Sequence, residues 1–168
     1  MSEWVKRMHL MIFTTGGSID KAYSTQASDF VVGEPQIGAV LREANVNFTY
    51  EVVSLFKKDS LHITDDDRRL LTDHIRATPY RHILVTHGTD TMVQTAQAIV
   101  GIEGKVILLT GAMQPAAFKQ TDAVLNIGCA VAAVQIMPPG VYLAMSGRIF
   151  TPDNARKNPQ TDQFEEVG

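Results

Sequence analysis

The chain of 168 residues holds one cysteine, Cys129. No internal disulfide can form, which suits a reducing compartment and makes a cytoplasmic setting the expectation. Cys129 lies in a strongly apolar stretch and reads as a small core residue of a helix. Basic clusters are missing: no run of Lys and Arg exceeds two, and the formal charge is −3. A nucleic-acid or anionic-membrane surface would show a basic patch, so neither partner is expected. Long apolar runs are missing too. "MSEWVKRMHLMIFTTGG" has a short one that leads straight into glycines. It is too short to span a membrane and lacks a small-residue cleavage site, so it reads as a first strand. "TTGGS" lacks the Lys of a phosphate-binding loop, and no Gly-x-Gly-x-x-Gly fingerprint follows the first strand. No Gly-x-Ser-x-Gly elbow occurs. A phospho-acceptor receiver domain would need an acidic pair after the first strand and an Asp ending the third, and has neither. His62, His74, His82 and His87 lack metal-ligand spacing, so no metal and no organic cofactor is expected.

What remains is an ordinary globular composition, 45% apolar and 20% charged, at a length that supports one well-buried core. Strands and helices alternate along it. "MHLMIFTT", "FTYEVVSLF", "HILVT", "KVILLTGA" and "GVYLAMS" read as five strands. "PQIGAVLREANV" reads as a helix with Pro35 in its first turn. "ITDDDRRLLTDHIRA" is amphipathic, with Thr64 or Asp65 as cap, acids in the first turn, and Leu70, Leu71 and Ile75 facing inward. "TMVQTAQAIVG" closes near Gly101, and "DAVLNIGCAVAAVQIM" is almost wholly apolar. Strands apolar on both faces and separated by helices predict a single α/β domain over 1–168. Its fold would be a doubly wound, mostly parallel sheet of flavodoxin-like or Rossmann-like three-layer type. Two segments carry no strong pattern: a flap at about 20–34, expected to be mobile, and a polar C-terminal tail at about 152–168.

In such a sheet, ligands bind at the carboxyl ends of the strands where strand order reverses. With the order 2-1-3-4-5, that crevice lies between the first strand, ending "FTTGGSID", and the third, ending "VTHGTDTM". Both ends are built of glycine and hydroxyls. Glycines bring backbone N–H groups close to a ligand, and a helix N-terminus favours a carboxylate or oxyanion. A helix start needs one cap, whereas this one offers Thr89, Asp90 and Thr91 together.

The pairing of "TTGGSID" with "THGTDTM" resembles the two signature segments of the bacterial-type L-asparaginase/glutaminase family, with Ser18 where Thr is usual. "LLTGAMQP" resembles a further family turn with Gln114 in an Arg position, and "DAVLNIGCAV" and "SGRIF" resemble the segments that follow. The resemblance spans nearly the whole chain but covers only the family's N-terminal domain. It implies a short, one-domain form that is an amidohydrolase of the asparaginase type. Its substrate would be L-asparagine, with L-glutamine the alternative, and it would assemble as a homodimer or homotetramer. A non-catalytic amino-acid-binding module is a second alternative. By the resemblance, Thr15 matches the nucleophile. Thr89 and Asp90 match the pair that assists proton transfer and binds the substrate α-ammonium. Lys157 matches the Lys that completes a Thr–Lys–Asp group, with Arg156 one residue away in register. Tyr23 matches a flap tyrosine that hydrogen-bonds the nucleophile. Ser60 matches the serine that binds the substrate α-carboxylate, with His62 in place of an Asp, and Gly16 and Gly88 line the substrate. A threonine hydroxyl needs a neighbouring proton acceptor to attack at neutral pH. Thr91 is left as a plain helix cap and His87 as a residue that shapes the turn.

Overall fold

The computed structural model describes residues 8–168. The reading of the N-terminal segment as the run-in to a strand falls partly on residues 1–7, outside the described residues. The strands are β1 (His9–Gly16), β2 (Lys21–Ser24), β3 (Asp29–Val32), β4 (Thr49–Lys58), β5 (His82–Thr86), β6 (Val106–Thr110), β7 (Gly140–Met145) and β8 (Arg148–Phe150), followed by two short ones, β9 (Arg156–Lys157) and β10 (Phe164–Glu165). The helices are α1 (Ile37–Glu43), α2 (Asp65–Ala77), α3 (Met92–Ala98) and α4 (Ala123–Ile136).

Six strands form the central sheet in the order β4-β1-β5-β6-β7-β8. The first five are parallel, and β8 folds back antiparallel on β7. The five strands read from the sequence thus take the expected order 2-1-3-4-5. Alternate residues of β1 enter different cores, because side chains of a strand point to opposite faces. Met11 and Phe13 join Leu71, Ile75, Met92 and Ala96 of α2 and α3. Leu10 and Ile12 join Ile37, Leu41, Ala130 and Val134 of α1 and α4. Helices cover both faces, which is why these strands are apolar on both sides.

Local signals account for the helix boundaries. Thr64 Oγ1 accepts the Asp67 N–H at 3.2 Å, and Asp67 Oδ2 accepts the Thr64 N–H at 2.9 Å. This reciprocal capping box starts α2, so Thr64 and not Asp65 is its cap. Pro35 lies just before α1, whose cap position is Gln36. Cys129 is half-buried, at the margin of the core on the α4 side.

Two segments that carry no strong pattern in the sequence take regular structure. The flap is a β-hairpin, β2 paired antiparallel with β3. Its two four-residue strands leave Tyr23, Phe30 and Val31 largely exposed, so the inside–outside alternation that marks a strand is weak. The tail is not merely polar: β9 pairs with β10, and Phe164 is buried in the core beside Ala155. A single Phe among charged neighbours gives no period to read. No helix among the described residues is long and apolar enough to cross a membrane.

Candidate active site

The carboxyl ends of β1 and β5 are adjacent in the sheet, with Thr14 opposite Thr86. Beyond them the two glycine turns touch. Gly17 has φ 87°, and a Cβ there would lie 2.5 Å from the Cα and N of Gly88. A Cβ on Gly88 would in turn lie 2.6 Å from Ser60 Cβ. Three loops therefore meet at a spacing that only glycine permits. Gly16 sits at the edge of this junction, and the Gly17 N–H donates to Lys58 O at 2.9 Å.

Thr15 is wholly buried at the end of β1, and its hydroxyl donates to Thr86 O at 2.8 Å. Thr89 and Asp90 follow β5. Lys157 reaches them from β9: its Nζ donates to Thr89 Oγ1 at 2.8 Å and to Asp90 Oδ1 at 2.9 Å. Arg156, on the other side of the strand, pairs with Glu165 at 2.7 Å. The strand's alternation thus places Lys157, and not Arg156, beside Thr89. Thr89 is buried, while Asp90 is about half exposed, so one end of this trio opens to solvent.

Ser60 lies in a short 3-10 turn, Ser60–His62, between β4 and α2. Its Oγ accepts the Thr91 N–H at 3.3 Å, and its carbonyl accepts the Thr91 hydroxyl at 2.8 Å. Thr91 occupies the cap position of α3 but makes no side-chain cap bond. The expectation of a plain cap is therefore corrected: its hydroxyl ties the Ser60 loop to the "HGTDT" turn. Tyr23 stands 58% exposed on the flap, packed edge-on against Phe30 at 5.6 Å. Phe30 packs in the same way on Phe118 at 5.4 Å. No hydrogen bond joins Tyr23 to Thr15 in this position of the hairpin.

His87 is buried, with Nδ1 2.7 Å from Gly88 O and Nε2 2.8 Å from Thr95 Oγ1. A carbonyl only accepts, so Nδ1 carries the proton and Nε2 accepts from the Thr95 hydroxyl. Arg68 Nε donates to the same Thr95 oxygen at 2.9 Å. Burial pushes the His87 pKa down to about 4. The Gly88 carbonyl opposes this, and the Arg68 charge adds to it. His87 is thus a neutral strut of the turn, as its sequence context suggested.

Sequence reading missed Asp20, at the root of the flap. It is buried, its Oδ1 accepts the Gln36 N–H at 3.0 Å, and its carbonyl accepts the Gly33 N–H at 2.9 Å. Burial raises its pKa to about 7. The Gln36 N–H opposes the rise, Glu34 adds to it and Lys57 opposes it. Arg68 and Thr95 were missed as well, since nothing in the sequence links α2 to α3. Asp122 holds the N–H groups of Met113 and Gln114 at 2.9 and 3.0 Å. A cavity of about 400 Å³ lined by Gln114, Asp122, Asn126, Ser146 and Gln163 lies beyond β6 and β7, and Thr15, Thr89 and Lys157 do not line it. Among the described residues, no three His, Cys, Asp or Glu side chains are grouped to hold a metal ion.

In this doubly wound α/β domain the Thr89–Lys157–Asp90 trio follows one of two adjacent strand ends, and Thr15 stands at the other. The chain belongs to the asparaginase family: the family's "Asparaginase, N-terminal" pattern matches residues 9–167. It is similar to the glutaminase-asparaginase of Acinetobacter glutaminasificans, 28% identical over 163 residues that cover 89% of this chain and 49% of that protein. It also resembles the structure of L-asparaginase I from Vibrio cholerae O1 biovar eltor (TM-score 0.83, 26% identity, 95% of this chain and 51% of that one). The thermostable L-asparaginase from Thermococcus kodakarensis shares the fold (TM-score 0.81, 23% identity, 95% and 51% coverage). The chain spans about half the length of the proteins it matches.

Proposed function

We propose that the protein hydrolyses the side-chain amide of L-asparagine to L-aspartate and ammonia, with Thr15 as nucleophile and no metal or organic cofactor. The observation that carries this reading is the bonding of Lys157 to both Thr89 and Asp90, beside buried Thr15 on the neighbouring strand. With the Thr15 hydrogen directed at Thr86 O, the lone pairs of its oxygen are the free part of the group. Attack forms the Thr15 Oγ1–carbon bond and gives a tetrahedral oxyanion, which N–H groups at the strand ends stabilise. The amide C–N bond then breaks, and the nitrogen leaves as ammonia with the threonine proton. Water next cleaves the ester, releasing aspartate and restoring the hydroxyl. Because Thr89 Oγ1 accepts from Lys157, its own O–H is free to serve as the proton relay in both steps.

The remaining roles follow the same reading. Asp90 binds the substrate α-ammonium, and Ser60, whose oxygen accepts from Thr91, offers its O–H to the α-carboxylate. Gly16 and Gly88 line the substrate closely. Tyr23 reaches Thr15 only when the hairpin moves. We also propose self-association as a homodimer or homotetramer and a cytoplasmic setting, with neither nucleic acid nor membrane as partner. L-Glutamine is the second substrate to try, since a relative bears the name glutaminase-asparaginase. Ammonia release from each amide by the wild type, Thr15→Ala and Thr89→Ala tests the proposal. Release abolished by either substitution supports it. No release from wild type rejects the enzyme reading, and release unchanged in both variants rejects the site.

A further inference from the structure

Among the described residues, His9 Nε2, Thr14 Oγ1, Thr86 Oγ1 and Asn126 Oδ1 are buried side-chain atoms without a hydrogen-bond partner. His9 opens β1, but the other three lie toward the carboxyl ends of the strands. Thr14 and Thr86 are Cα partners on β1 and β5, so their side chains leave the sheet on the same face. That is the face of α1 and α4, since Leu10, Ile12 and Leu84 of the same alternation pack there. Asn126 sits on the buried side of α4, with Ala123 and Ile127. Thr86 pairs in turn with Thr110 of β6, and the carbonyl of the next residue, Gly111, accepts from Asn126 Nδ2 at 2.9 Å. The Asn126 amide therefore stands over the neighbouring strand end.

A buried polar group without a partner is rare, because its lost hydration goes uncompensated. Three on one patch point to one shared partner, and the atoms define its chemistry. The Asn126 amide cannot be turned round: Nδ2 donates to Gly111 O and, at 3.1 Å, to Asp122 Oδ2, and a carbonyl only accepts. Oδ1 is thus a fixed acceptor, and its partner must donate. The two hydroxyls can each donate or accept. None of the three groups is charged, which suits a neutral molecule. Spacing sets its size. Neighbouring strands lie about 4.8 Å apart, and two O–H···O bonds of about 2.8 Å bridge such a gap through a single oxygen.

We propose that Thr14, Thr86 and Asn126 bind one internal water molecule beneath α4, which joins the ends of β1 and β5 to that helix. A buried water makes about three hydrogen bonds to groups that would otherwise be unsatisfied, the number offered here. The site lies directly behind the strand ends that carry the Thr15 and Thr89 turns. Thr15 follows Thr14 in the chain, and its hydroxyl bonds the Thr86 carbonyl. The water site does not depend on amide hydrolysis.

Thermal unfolding of Thr14→Val, Thr86→Val and the double variant tests the site, since valine keeps the shape of threonine and removes only the hydroxyl. A hydroxyl that holds the water stabilises the fold, so each single variant should lower Tm by about 2–4 °C. The double variant should lose less than the sum of the two, because both act through one water. If the hydroxyls are dry, valine removes an unpartnered polar group and Tm rises. That result, an unchanged Tm, or strict additivity overturns the proposal. Oxygen-17 relaxation dispersion should find one long-lived water fewer in the double variant than in the wild type; an equal number also overturns it. Should the variants fail to fold, a wild-type crystal structure that shows ordered waters, grown without ammonium salts, decides the matter. One oxygen within hydrogen-bond distance of all three side chains supports the site, and an empty site there rejects it.

Discussion

Replacing Asp20 by Asn should stabilise the protein near neutral pH and do nothing at pH 3. Asp20 is 2% exposed, and its pKa rises from 3.8 to about 7, mainly through burial. Between these values the unfolded chain has lost its proton while the folded chain keeps it. The folded state therefore binds more protons, and stability falls as pH rises from about 4 to about 7 before levelling off. Three pH units at 1.36 kcal/mol each give a loss of up to about 4 kcal/mol. Asn removes the ionisation but keeps an oxygen for the Gln36 N–H, so it should recover most of that loss. In a domain of this size, about 4 kcal/mol corresponds to a rise of roughly 8–16 °C in Tm. Urea or thermal unfolding of both proteins from pH 3 to 8 makes the test. Subtracting the two curves cancels the titrating groups that do not interact with Asp20 and leaves the Asp20 ionisation together with its coupling to Glu34 and Lys57. A difference that grows from near zero and flattens above neutrality supports the argument. A difference constant with pH, or one that shrinks as pH rises, refutes it.

Lys157→Met keeps the stem but removes the bonds to Thr89 and Asp90; it should lower kcat/KM for asparagine about 100-fold or more. Because the Lys157–Asp90 pair is partly exposed, the stability change should stay within about 1 kcal/mol; activity within threefold of wild type would show the contact to be structural. His87 should remain neutral, protonated at Nδ1, down to about pH 5, read from its ring-nitrogen NMR shifts. A titration midpoint above 6 would mean that the buried Arg68–Thr95–His87 chain does not exist in solution.

The sheet was legible because its strands announce themselves: "HILVT" and "KVILLT" have no polar face to hide, and the glycine turns mark their ends. Strand order was inferred from a common pattern, and the register of Thr14 opposite Thr86 bears it out. The resemblance also implied that Thr89, Asp90 and Lys157 gather, but it left open a register one residue away at Arg156; Lys157 is the side chain that bonds Thr89 and Asp90. Other features had no local signal. Asp20 looks like any loop acid until Gly33 and Gln36 fold back over it, and Thr95 looks like a helix filler until Arg68 and His87 converge on it. Their meaning comes from contacts 8 to 27 residues apart in sequence, set by packing that composition does not encode. The hairpin was missed for a different reason, since its exposed aromatics break the alternation.

The trio beside Thr15 is closed by the second-last strand, and this orders events during synthesis. Thr15 meets Thr86 across 71 positions, and Lys157 meets Thr89 across 68. A growing chain can pair β1 with β5 once residue 86 has emerged, yet Lys157 arrives only after β6, α4 and β7 have been made. Contacts this distant in sequence form slowly. The nascent domain can therefore hold a finished sheet for a time while its trio is still incomplete.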